Sequence, residues 1–459
     1  MATAGAHLDE RDTRGSMTRI LDRRFLGLAM MEFWERFAMA GVKSLLVLIL
    51  ADEIFAGTGR PATGALALRA VFESWFGPLS TTGLASQVYG YAGALLYLSV
   101  PLGGLIGDLI ARRHTVICCG AAAMIAGLGL MLQVPTFLPG LALFMVSTGT
   151  LKGNLSAQLG QLLCGEVERQ RGYALYLGFL NAGVICGPLV CGTLAALAGW
   201  PYAIGAAAIA VLLGVGGYLA TATRLPADAA LPVRETGPAT AAQGAGMRSS
   251  AILVAAILSI YFCWSAYEQL GDIFLIWARA RIELHVHGWA MPVAWFVSLD
   301  GVFTLLLIAG AQGFFPWLAR SGIGLGPEDH ILLGGLCCAS GYLLLALASM
   351  GDGPLSIGWA LAYLILIDAA VVLVWPSGLT LIAAVAPPRF VGFWIGLFYL
   401  HGFFASLWVG ISGSLYGRTS DGRFWLLQAA MAGVAVMLAL LATALRRRAS
   451  AVQATTTSA

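Results

Sequence analysis

Residues 221–250, TATRLPADAALPVRETGPATAAQGAGMRSS, are the one long polar stretch between apolar runs in a chain of 459 residues. Their Pro, Ala, Gly and Arg content reads as a flexible linker, placed at 222–249. On both sides, apolar runs follow one another, each long enough to cross a bilayer (about 20 residues). Six precede the linker, near 25–50, 84–107, 115–133, 136–163, 172–198 and 201–221. Six follow it, near 250–278, 290–318, 330–350, 355–386, 390–416 and 424–445. Composition agrees, with 59% of residues hydrophobic and only 11% charged, against about 25% charged in soluble domains. The expected fold class is an all-α integral membrane protein with twelve transmembrane helices in two six-helix bundles. The first bundle covers 1–221 with a polar N-tail, the second 250–459 with a C-tail.

The chain has only two lysines, Lys43 and Lys152, both inside apolar segments. A charge at the centre of a spanning helix costs about 2.5–3.5 kcal/mol on insertion scales, so such a residue pairs, faces water or meets a ligand. The first span contains MEFWERFAMAGVKSLLVLIL, residues 31–50. At 100° per residue, with Glu32 at zero, Arg36 falls at about 40°, Lys43 at about 20° and Glu35 at about −60°. Four ionisable groups thus share one face; unpaired, they would cost on the order of 10 kcal/mol. A salt-bridge cluster that only joins helices is the plainer reading. Against it, Glu32 and Glu35 outnumber the adjacent Arg36, and a spare buried acid is a candidate proton carrier.

Arginines concentrate in the N-tail, at Arg112/Arg113, Arg169/Arg171, through the linker, at Arg320 and Arg389, and in the C-tail. The alternate loops hold fewer: Arg60, Arg69, Arg279, Arg281, Arg418 and Arg423. The positive-inside rule then places both termini in the cytoplasm of a cell-membrane protein. The polar N-tail lacks a short apolar core, so no signal peptide is expected. The eight cysteines lie in or beside apolar spans without a CxxC pair and read as small packing residues. Gly103, Gly104, Gly107, Gly178, Gly183 and Gly187 have the small-residue spacing that lets membrane helices approach closely. Between the first two spans, ALALRAVFESWFGPLSTT (65–82) reads as an amphipathic interfacial segment built on Phe72, Trp75 and Phe76. His401 reads as a packing residue, and His285 and His287 offer too few ligands for a metal. No metal cluster, phosphate loop or nucleophile with its base stands out, so no enzyme and no cofactor are expected. No basic stripe outside the spans points to nucleic acid.

Two six-helix halves around a cytoplasmic loop resemble the major facilitator superfamily, whose substrate site lies at the midplane. Glu32-Phe33-Trp34-Glu35-Arg36-Phe37 is similar to the ExxERF signature of its proton-dependent oligopeptide transporter family. PLGGLIGDLIARRH (101–114) resembles the superfamily loop signature, which implies a cytoplasmic latch of Gly104, Asp108, Arg112 and Arg113. GTLKGNLSAQLG (149–160) resembles the family's lysine motif, with Gly153 where Pro is usual. YLGFLNAGVICGP (176–188) resembles its asparagine–glycine signature at Asn181 and Gly183, and FCWSAYEQLGD (262–272) its seventh-helix motif with Glu268. The resemblance implies proton-coupled uptake of di- and tripeptides by alternating access in a monomer, with peptide, protons and lipid as its only partners. It makes Glu32, Glu35, Arg36 and Glu268 the proton-coupling groups. Lys152 would pair with Glu32 or Glu35 or with the substrate carboxylate, and Asn181 would hydrogen-bond the peptide.

The departures are as informative. Two tyrosines that follow ERF in the family are Met39 and Ala40 here. A second arginine is Lys43, which keeps the charge but loses the bidentate fork. An Asn-Pro pair of the eighth helix is Asp300-Gly301, and the tenth-helix glutamate aligns with Val371. Asp368 lies one turn before Val371, about 60° away. The candidate substrate-binding set is therefore Lys43, Lys152, Asn181, Trp264, Glu268, Asp300 and Asp368, with Asp272 expected to be solvated or gating. An alternative cargo, a non-peptide metabolite or drug on the same fold, follows from the lost tyrosines. The sequence leaves open the cargo, the proton stoichiometry, the direction of flux and the order in which Glu32, Glu35 and Glu268 take protons.

Overall fold

The computed structural model describes residues 22–57, 59–110, 112–163, 166–222, 246–286, 288–387 and 390–457. The N-tail to residue 21, the linker from 223 to 245, Cys164, His287 and Arg389 lie outside the described residues. The chain runs α1 (Arg23–Ile49), a π-helical turn (Leu50–Ile54), α2 (Ala65–Phe76), α3 (Thr81–Ile110), α4 (Arg113–Leu130), α5 (Phe137–Leu162), α6 (Glu166–Ala198) and α7 (Trp200–Ala222). It continues as α8 (Gly246–Tyr267), a 3₁₀ turn (Glu268–Gly271) and α9 (Ile273–Arg281). A short antiparallel hairpin follows, β1 (His285–Val286) with β2 (Trp289–Ala290). Then come α10 (Trp295–Arg320), α11 (Pro327–Ala348), α12 (Ile357–Val385), α13 (Val391–Tyr399), α14 (His401–Gly413) and α15 (Asp421–Thr457).

Eleven helical stretches among the described residues are long and apolar enough to cross a membrane. Helix α1 is as long but carries Glu32, Glu35, Arg36 and Lys43 within it. Large apolar side chains such as Leu109, Leu197 and Met437 are exposed, as suits a surface solvated by lipid. The protein is an all-helical, multi-pass membrane protein.

Two expected spans are not continuous. The run 250–278 breaks between α8 and α9, where Glu268, Gln269 and Asp272 crowd polar groups around Gly271. Backbone carbonyls freed at membrane depth need donors. The Tyr342 hydroxyl donates to the Ala266 carbonyl, and the Asp272 amide donates to the Gln269 carbonyl at 3.2 Å. The run 390–416 breaks at Leu400 between α13 and α14. There the Tyr261 hydroxyl donates to the Leu397 carbonyl, and His401 Nδ1 lies 2.6 Å from the Phe398 carbonyl. Both side chains add a donor to helix-end carbonyls that the Leu400 amide also serves.

Contacts divide the chain into two compact units. The first comprises Met1–Leu46, Gly57–Leu66 and Leu95–Val233; the second comprises Val47–Ala56, Ala67–Ala94 and Arg234–Ala459. Helix α3 contributes to both, its first half to the second unit and its second half to the first. In the first unit α4 packs on α5 and α7, and α6 packs on α7. In the second unit α8 packs on α11, α12, α14 and α15, above a core of buried rings that includes Phe274, Trp277, Tyr342, Tyr363 and Trp425. The amphipathic segment forms α2, where Phe72 is buried against Tyr91 at 5.1 Å while Trp75 is exposed.

The small-residue expectation holds at specific crossings. A Cβ on Gly183 would overlap the Phe33 carbonyl and stand 2.8 Å from Arg36 Cβ, so α1 and α6 meet beside the charged face of α1. A Cβ on Gly153 would lie 2.7 Å from the Val100 carbonyl, and Asn154 Nδ2 donates to the Gly103 carbonyl at 2.8 Å. Glycine at 153 therefore seats α5 on α3. Gly104 and Gly178 are corrections: an added Cβ at either would meet nothing within 4 Å.

Candidate functional site

Within the first unit, α1 presents the acids and the guanidinium together. Glu32 and Glu35 are buried, at 1% and 0% exposure. Arg36 Nε stands 2.7 Å from Glu32 Oε1, one helical turn away, and 3.2 Å from Glu35 Oε2. The Tyr176 hydroxyl, on α6, donates to Glu32 Oε2 at 2.6 Å. Glu32 is thus held by a cation and a hydroxyl. Neither oxygen of Glu35 accepts a hydrogen bond among the described residues. Lys152, on α5, lies within electrostatic reach of Glu32, Glu35, Arg36 and Lys43. Two acids and two or more cations therefore share one buried place, with unequal partners: the guanidinium is hydrogen-bonded to Glu32 and stands beside Glu35, while Lys152 is within electrostatic reach of both acids.

Arg36 reaches Glu32 because i and i+4 side chains lie on one helix face, and the close crossing at Gly183 brings α6, and with it Tyr176, against that face. Asn181 is partly buried on α6, and its Nδ2 donates to the Leu177 carbonyl of its own helix at 2.8 Å. Asp108 and Arg113 form an ion pair at the turn from α3 to α4. Arg112 is exposed at the head of α4, and Gly104 faces open space.

The second unit holds its own acids around the helix break. Glu268 and Gln269 are buried in the 3₁₀ turn. Asp272, expected to be solvated or gating, is not solvated: it is fully buried at 0% exposure, and the Ser86 hydroxyl donates to its Oδ2. The correction has a physical cause: α8 stops short, so Asp272 folds back under α3 and α14, where Gly413 leaves room for it. On α10 and α12, Asp300 and Asp368 are also buried. The Tyr267 hydroxyl donates to Asp300 at 3.0 Å, and Thr304 Oγ1 donates to Asp368 at 3.1 Å. Trp264 packs among rings, tilted against Trp375 at 5.1 Å and edge-to-face with His401 at 4.7 Å. His401 is buried and packed there, as a packing histidine should be.

The Major Facilitator Superfamily model matches residues 37–410 of this chain. The chain belongs to that superfamily. Among curated relatives, this major facilitator protein is 24% identical to a peptide transporter of Yersinia enterocolitica, over 84% of this chain and 86% of the relative. It is 23% identical to the dipeptide and tripeptide permease A of Erwinia pyrifoliae, over 82% of each. Among solved structures, the peptide transporter POT in complex with sulfate superposes with a TM-score of 0.76 at 20% identity, covering 93% of this chain and 94% of that one. A POT family transporter in complex with 5-aminolevulinic acid gives 0.75 at 17%, covering 92% and 96%. These structures establish the fold. The resemblance carried by the motifs to the oligopeptide transporter family agrees with the relatives, and this major facilitator protein is a divergent member of it.

Two hydroxyls in these sites have no role in the motif reading. Tyr176 opens the very segment read for Asn181, five residues on, and Tyr267 directly precedes Glu268. For Tyr267, a tyrosine beside a motif acid in a membrane span is the signal, since its hydroxyl needs an acceptor when buried; Tyr176 carries no such local signal.

Proposed function

We propose that this protein is a proton-coupled symporter of di- and tripeptides or peptide-like zwitterions, working by alternating access in the cell membrane with both termini cytoplasmic. The observation that carries the reading is the buried cluster of Glu32, Glu35, Arg36 and Lys152, in which Glu35 accepts no hydrogen bond among the described residues. Arg36 and Tyr176 hold Glu32 ionised in place. Glu35, when ionised, faces Lys152; a proton on Glu35 cancels that attraction and releases the Lys152 ammonium to a substrate carboxylate. Proton uptake and substrate binding then favour each other through one lysine. Glu268 is the acid of the second unit expected to carry a proton, and the acids there suit the amine end of a zwitterion. One chain is the functional unit, acting as a carrier rather than an enzyme.

The test is uptake into proteoliposomes of a panel of di- and tripeptides, with and without an inward proton gradient. Accumulation above the outside concentration only with the gradient supports the reading; equal movement in both conditions removes the coupling. A second reading, a same-fold carrier of a non-peptide metabolite, rests on Met39 and Ala40 standing where the family has tyrosines. Thermal-shift screening against dipeptides, amino acids, nitrate and cationic drugs separates the two, since a shift with non-peptides alone favours the second.

A further inference from the structure

The end of α8 is held by hydroxyls that reach it from neighbouring helices of the second unit. Tyr363, on α12, donates to the Tyr342 hydroxyl, on α11, at 3.0 Å, and Tyr342 in turn donates to the Ala266 carbonyl. Both tyrosines are fully buried, where a hydroxyl without an acceptor costs free energy. Tyr267 is the next residue and the last of α8. Its ring packs against Trp264, one turn earlier, at 5.2 Å. Its hydroxyl crosses to α10 and stands 3.0 Å from Asp300 Oδ1 and 3.3 Å from Asp300 Oδ2. One donor shared by both oxygens sets the tilt of the carboxylate as well as its distance. A carboxylate accepts at up to about four lone-pair sites, so this single hydroxyl orients the group without saturating it. The hydroxyl is also uncharged, and it holds the Asp300 carboxylate without neutralising it. The asparagine that stands at this place in the family would accept the same hydroxyl through its amide oxygen, but would offer an ammonium group no charge.

We propose that Tyr267 is a positioning residue for the substrate amine: its hydroxyl holds the Asp300 carboxylate in the orientation that takes the ammonium group, so the cargo is a compound with a free amine. The proposal rests on the transport reading above. No covalent bond changes: the ammonium donates hydrogen bonds to the carboxylate, while the tyrosine hydroxyl keeps its own contact from α8. Glu268 follows Tyr267 in the chain. The amine site and the acid expected to carry a proton in this unit therefore hang on the same helix end.

Isothermal titration calorimetry on the purified full chain tests this with dialanine and with N-acetyl-dialanine, which lacks the ammonium group. The native chain is expected to bind dialanine more tightly, and Tyr267→Phe to shrink that preference about tenfold. A merely structural role would weaken both ligands together; an unchanged ratio in Tyr267→Phe overturns the assignment. Asp300→Asn keeps an acceptor for the hydroxyl and removes the charge, so it should abolish the preference. Adding Tyr267→Phe to Asp300→Asn should then leave the ratio where it is, because the two act through one contact. A preference that survives Asp300→Asn overturns the proposal even should Tyr267→Phe not fold, and so does a further fall in the double variant. A native chain that binds both ligands equally contradicts the amine assignment alone. One that binds neither contradicts peptide transport itself, and the assignment with it.

Discussion

At the scale of single residues, the proposed coupling rests on the unequal partnership of two glutamates. Tyr176 holds Glu32 from another helix, and a hydrogen bond to a charged group is worth about 1.5–3 kcal/mol. Tyr176→Phe is therefore expected to lower the thermal unfolding midpoint in detergent while leaving the cluster's charges in place; an unchanged midpoint would mean that the 2.6 Å contact contributes nothing. Lys152 is the group expected to change hands between Glu35 and the substrate. Lys152→Gln should raise the uptake KM by at least about tenfold, because truncating one partner of a buried charge pair costs about 2–5 kcal/mol. Gradient-free exchange should fall with it. The four ionisable groups of α1 were legible in the sequence because a 100° period places them on one face. Tyr176 was not, because its contact depends on where α6 crosses α1, which no local pattern encodes.

Among helices, the crossings are set by glycine at particular points rather than by every glycine in an apolar run. Gly183 and Gly178 stand on the same helix, yet only the first is pressed against a neighbour. Gly183→Ala is expected to destabilise the folded protein by about 1–3 kcal/mol, the usual cost of overpacking, with Gly178→Ala near neutral. Melting curves of the two variants side by side check this; equal curves would remove the close crossing of α1 and α6. Helix breaks behave differently. Spans 250–278 and 390–416 read as continuous because hydropathy averages over polar residues in a long apolar run. At the interruptions at Glu268–Gly271 and Leu400, hydroxyl donors from other helices, Tyr342 and Tyr261, and the adjacent His401 imidazole meet the helix-end carbonyls. For the same reason Asp272 looked peripheral in the sequence and is buried in the structure.

For the molecule as a whole, the linker and the count of apolar runs carried the fold class, and the superfamily match over residues 37–410 bears it out. Cargo is less legible, since relatives at 22–24% identity share a scaffold while this chain changes Tyr to Met39 and Ala40 and moves a tenth-helix acid to Asp368. The proposed coupling, by contrast, centres on Glu35. The most direct measurement compares the native chain with Glu35→Gln in proteoliposomes, reading peptide uptake driven by an inward proton gradient and peptide counterflow without one. Gradient-driven uptake should be lost in Glu35→Gln while counterflow remains measurable, since a neutral side chain mimics the protonated state and leaves Lys152 free for substrate. Undiminished gradient-driven accumulation in the well-folded variant would show that Glu35 does not carry the proton.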